Sequence, residues 1–167
     1  MRQLPILSMA CAVMLAVPTV MADDSRSIKA DLNGFNEPPA LSTPATGSFK
    51  AHIRDEDSIE YELSYADLES DITQSHIHLG IPGVNGGISA WLCQGTILGP
   101  AGTPNCAGAR TGGASGVITA ASVIGPAGQG IAPGEFAELL RAIRAGATYA
   151  NVHTVGRPGG EIRGKLE

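Results

Sequence analysis

Three of the four histidines in the chain sit where strand geometry can gather them. His76 and His78 are separated by one residue in Ile72–Leu79, a run of strand-forming residues. On a β-strand, residues two apart project from the same face, with Cβ atoms about 7 Å apart. Two imidazoles at that separation can converge on one ion. Gln74 shares their face. In a second segment, Ala147–Val155, the residues Tyr149, Asn151 and His153 share a face. If the two segments are neighbouring strands, His153 supplies a third nitrogen. Imidazole suits zinc and copper, and an oxidising compartment suits Cu(II). Glu161 and His52 are further donors that the sequence does not place. The competing reading is structural: a neutral histidine bonds a backbone carbonyl or a polar neighbour and holds two loops together.

Other chemistries lack their signatures. No serine stands in a Gly-x-Ser-x-Gly elbow. The glycines at 80, 83, 86 and 87 are not followed by a Gly-Lys-Ser/Thr step or a helix start, which excludes a phosphate loop. Asp55-Glu56-Asp57 has too few oxygen donors nearby for calcium and reads as a solvated hairpin turn. Cys93 and Cys106 flank a loop rich in Gly and Pro, and read as a disulfide that contributes roughly 2–3 kcal/mol by restricting the unfolded chain. The alternative, two thiolate metal ligands, fits neither the spacing nor an oxidising compartment. Trp91, two residues before Cys93, reads as core packing beside that bridge.

The elements that must position these residues are mostly strands. Two-residue alternation marks Ile28–Leu32, Phe49–Arg54 and Ile59–Tyr65. Further strands are expected at 72–79, 87–93, 116–120, 147–155 and 161–166. Gly159 and Gly160 are expected to supply positive φ at the last hairpin. One segment changes period. Phe136, Leu139, Leu140 and Ile143 fall on one helical face and Gly146 stops the run, which predicts a short helix near residues 135–145, crossing from one sheet to the other. The fold class is all-β, an antiparallel Greek-key-like β-sandwich with that one helix.

The N-terminus reads as a secretory signal. Arg2 precedes an apolar stretch from Leu4 to Val17, and Val20-Met21-Ala22 offers compact residues at the cleavage positions. Residues 1–22 are expected to be removed, taking Cys11 with them. Residues 23–167 then form a single domain that is periplasmic or secreted. The formal net charge of −5 and the lack of a basic stripe argue against nucleic acid as partner. No span after the signal is long and apolar enough to cross a membrane.

Two motifs resemble the CHRD domain, the module named for its occurrence in chordin. Ser75-His76-Ile77-His78-Leu79-Gly80-Ile81-Pro82-Gly83-Val84-Asn85-Gly86-Gly87 resembles that family's His-Ile-His stretch and Gly-rich turn. Tyr149 through Leu166, with Asn-Val-His-Thr and Pro-Gly-Gly-Glu-Ile-Arg-Gly, resembles its closing signature. Asn36-Glu37-Pro38-Pro39 is similar to its N-terminal segment. The resemblance covers roughly residues 27–167 and maps the family's own histidines onto His76, His78 and His153. It implies an extracellular module not known as an enzyme. The Cys93–Cys106 pair is not implied by the family and reads as an addition to one loop.

The functional reading placed first is an exported, non-catalytic binding or interaction module for an unknown protein or small ligand. The alternative is a periplasmic or secreted protein that binds one copper or zinc ion through His76, His78 and His153. A copper enzyme similar to superoxide dismutase, another sandwich with a His-x-His strand, is a weaker alternative, because the chain lacks a histidine-rich loop for a second metal.

Overall fold

The computed structural model describes residues 26–167. The expected signal segment, residues 1–22, lies outside them. Eight strands are present: β1 (Ser27–Asn33), β2 (Thr46–Arg54), β3 (Ser58–Ala66), β4 (Ile72–Leu79), β5 (Gly87–Gln94), β6 (Gly112–Ile118), β7 (Thr148–Thr154) and β8 (Ile162–Lys165). The single α-helix among the described residues, α1 (Phe136–Arg144), falls where the period change predicts it. Its apolar stripe of Phe136, Leu139, Leu140 and Ile143 is buried, and Gly146 follows at φ +64°.

All eight strands pair antiparallel in one sheet, in the order β5-β4-β7-β8-β1-β2-β3-β6. The two leaves expected of a sandwich are therefore continuous. They are joined where β8 meets β1, through the Asn33–Arg163 pair and reciprocal Lys29–Glu167 backbone bonds. The helix accordingly connects the edge strand β6 to the interior strand β7, rather than linking two separate sheets. The sheet's far ends are also tied. Tyr61 on β3, the neighbour of edge strand β6, donates its hydroxyl to Leu92 O on the other edge strand, β5, at 2.6 Å. Cys93 and Cys106 are disulfide-bonded, with S–S 2.07 Å, so neither is a thiolate ligand.

Between the leaves lies the core, with Phe49, Ile53, Ile59, Leu63, Ile77, Leu92, Ile118, Leu139, Ile162 and Leu166 all fully buried. Each such side chain contributes about 1.5–3 kcal/mol relative to exposure. β1 and β3 alternate buried and exposed, as half-buried strands should. β7 does not: every residue from Thr148 to Thr154 is buried. One face of β7 meets the core through Ala150 and Val152. Its other face carries Tyr149, Asn151 and His153, and loops cover it. That covering turns an outward sheet face into an enclosed site.

No helix among the described residues is long and apolar enough to cross a membrane.

Candidate metal centre

β4 and β7 are immediate neighbours, with Gln74 opposite His153, His76 opposite Asn151 and His78 opposite Tyr149. Cross-strand partners share a face, so all six side chains project to the same side. His76, His78 and His153 meet there. Their ligand nitrogens lie within 4.8 Å of one another. Ring centroids are 5.3 Å apart for His76–His78, 5.0 Å for His76–His153 and 5.7 Å for His78–His153. The closest approach is His76 Nδ1 to His153 Nε2, at 3.3 Å. Glu161 and His52 stay out of the group. The Glu161 carboxylate accepts from Thr43, Thr154 and the Glu69 amide, whereas His52 lies on β2 opposite Ser27 and Glu60.

Two backbone carbonyls fix the tautomers. His78 Nδ1 lies 3.0 Å from Gly86 O, and His153 Nδ1 lies 3.0 Å from Pro158 O. A carbonyl oxygen can only accept, so each neutral ring carries its proton on Nδ1 and presents a bare lone pair at Nε2. The carbonyl bonds of the structural reading are thus real. They are also what a metal-ligating histidine needs, because they orient the ring and leave the other nitrogen free. Without an ion, His153 Nε2 accepts from His76 Nδ1. The Nε2 atoms of His76 and His78 are then buried with no hydrogen-bond partner. An unpaired buried polar atom costs about 1–3 kcal/mol, and a metal ion bound at His78 Nε2 would relieve the cost there.

All three rings are neutral at physiological pH. Burial first, then the neighbouring His153 and His78, push His76 down to about 2. Burial lowers His78 to about 4, against the raising effect of the Gly86 carbonyl, with His153 and Arg163 adding to the decrease. Burial likewise lowers His153 to about 4, opposed by the Pro158 carbonyl and assisted by Arg163. Neutral imidazole is the ligating form, so no proton has to leave on metal binding at pH 7.

The surrounding shell includes residues the sequence analysis did not assign to the site. Trp91 stands edge-on to His76, with centroids 4.4 Å apart, and is only partly buried. This corrects its expected place in the core. A bulge opposite Ser75/His76 makes Cys93 pair with Ser75 and Trp91 with His76, so Leu92 and Cys93 are both buried while Trp91 turns to the histidines. The Tyr149 ring stacks on His78 at 4.9 Å and 3°, and the Arg163 guanidinium lies 4.4 Å from the Tyr149 centroid. Arg163 is buried and paired with buried Glu37 at 2.6 Å, and it also bonds Asn85 Oδ1 at 2.8 Å. Burial raises the Glu37 carboxyl above its ordinary value, opposed by the Arg163 charge and by the Asn151 and Arg163 hydrogen bonds. Three cover segments are thereby fastened over the sheet: the β4–β5 loop by His78, Tyr149 and Arg163, the β7–β8 turn by His153, and the segment after β1 by Glu37. In that β7–β8 turn only Gly160 has positive φ, at +126°, and Gly159 does not.

The family model of the CHRD domain matches residues 28–166. The chain belongs to the CHRD domain family. No curated protein and no solved structure shows a significant match to it. The match spans both histidine motifs, the Glu37–Arg163 pair and the disulfide loop. The CHRD fold seen here is the eight-stranded sheet with one helix, and the histidine cluster sits where two of its inner strands adjoin.

Proposed function

We propose that this CHRD domain is an exported, non-catalytic module that holds one copper or zinc ion through His76, His78 and His153. One observation carries the reading. The Nδ1 atoms of His78 and His153 are spent on backbone carbonyls, and one nitrogen from each of the three buried rings lies within 4.8 Å of the others. Nitrogens bound to one ion at about 2.0–2.1 Å stand about 3.4 Å apart. The His76–His153 pair is already at 3.3 Å, so shifts of side-chain size would complete the set. The residues therefore fit a late first-row ion by donor type and by orientation. Export is supported by the N-terminal signal pattern and by a disulfide, which suits an oxidising compartment.

A second reading has its own observation. His78 and His153 pin the β4–β5 loop and the β7–β8 turn, and that role alone would serve an interaction module whose partner contacts those loops. Elemental analysis of protein purified from its native compartment, followed by titration with Cu and Zn, separates the two. One ion per chain, lost when His76 and His78 are both replaced by Ala, supports the metal site. Substoichiometric metal that the double replacement leaves unchanged would sink it and leave the interaction module. If copper binds, a direct superoxide turnover assay decides whether the module is also an enzyme.

A further inference from the structure

We propose that the site is selective for the cuprous ion over divalent copper and zinc. This rests on the metal-site reading above and adds the charge state of the ion. Every donor in the cluster is a neutral imidazole, and no carboxylate or thiolate belongs to the group. The carboxylate of the nearby Glu37 is already bonded by Arg163 and Asn151, and that of Glu161 by Thr43, Thr154 and the Glu69 amide. The cysteines are consumed by their disulfide. An ion entering this site keeps its whole charge.

That charge is held away from water. His76 is 0 % exposed, and His78 and His153 are each 6 % exposed. Desolvation cost grows with the square of charge, so a divalent ion is penalised about four times as heavily as a monovalent one. The nearest cation acts in the same direction. The Arg163 guanidinium stands over the face of Tyr149, whose ring also stacks on His78. Glu37 offsets this charge without reaching the cluster.

Coordination number points the same way. Zinc sites with three protein ligands take a water as the fourth, and Cu(II) prefers a tetragonal set. Cu(I) has a filled d shell and is satisfied by two or three nitrogens. A cavity of about 280 Å³ opens beside Tyr149 and Arg163, but none of the three histidines lines it. That cavity therefore supplies no fourth ligand to the three imidazoles. An exported protein built this way would hold reduced copper in surroundings that favour Cu(II).

The test is an anaerobic titration of the disulfide-intact chain with Cu(I) against a chromophoric Cu(I) chelator, beside Zn(II) and Cu(II) competition titrations. One Cu(I) per chain is expected, bound at least about a hundredfold more tightly than Zn(II). Equal or tighter binding of Zn(II) or Cu(II) would overturn the selectivity and leave the metal site standing. Failure of all three ions to bind would overturn both. Gln74→Glu supplies a second readout, because Gln74 is half-buried and lies opposite His153 on the neighbouring strand. The added carboxylate should shift the Cu(I)-to-Zn(II) affinity ratio toward zinc by about tenfold or more. An unchanged ratio, in a variant whose thermal unfolding matches the parent, would refute charge as the selector.

Discussion

His76 Nδ1 and His153 Nε2 stand 3.3 Å apart although 77 residues separate them in the chain. The contact exists because β4 and β7 are paired and because both residues fall on the sheet face that loops, rather than the core, enclose. Burial of three imidazoles in one place has consequences for stability, for the covering loops and for metal.

The metal-free protein should lose stability in mild acid. Unfolded histidines take up protons near pH 6.5, whereas His78 and His153 resist until about 4 and His76 until about 2. The folded values are depressed, so the stability is complete above pH 6.5 and drains away as pH falls toward 4. Each histidine contributes a slope of about 1.4 kcal/mol per pH unit in that window. Thermal melts at pH 7, 5.5 and 4.5 should show a progressive fall in Tm. A flat profile would mean that the rings are accessible to protons in the folded state.

Glu37→Gln should destabilise the domain by about 3–5 kcal/mol, because it leaves the Arg163 charge buried without its partner. Removing both charges in Glu37→Gln/Arg163→Met should recover a large part of that loss. Chemical denaturation of the two variants checks this. A double variant no better than the single one would contradict an ion-pair origin.

Gly160→Ala should be destabilising by more than about 1 kcal/mol. The residue sits at φ +126°, and an added Cβ would come within 2.7 Å of both Asn151 Nδ2 and Glu37 Oε1. The same variant should weaken metal binding, since the turn it occupies carries Pro158, the carbonyl that orients His153. Parental stability and affinity would show that the turn yields without cost.

Reduction of Cys93–Cys106 should lower Tm by several degrees. The bridge restricts a short Gly- and Pro-rich loop, worth roughly 2–3 kcal/mol, and about 1 kcal/mol moves a domain of this size by about 2–8 °C. Melts with and without reductant, with thiol counts before and after, give the answer. An unchanged Tm on verified reduction would show that the bridge adds no stability.

Much of this arrangement could be read in the sequence. Strict alternation located β1, β2 and β3, and the switch in period located α1 within a residue or two. The shared face of His76 and His78 follows from a period of two. That His153 joins them does not, because β4 and β7 are far apart in sequence and only the sheet order makes them neighbours. The place of Trp91 is not legible for a local reason: a bulge changes the phase of β5, and no residue type announces it. The Glu37–Arg163 pair is not legible in the sequence, because the two residues are 126 positions apart and each looks like an ordinary surface charge.

The central claim is that three imidazoles bind one ion. X-ray absorption at the metal edge of the loaded protein tests it most directly. Three nitrogen scatterers at about 2.0 Å, with the outer-shell pattern of imidazole, are expected, and His76→Ala/His78→Ala should retain no bound metal that gives this signal. A first shell of oxygen without imidazole scattering, or a spectrum that the double replacement leaves unaltered, would contradict the account.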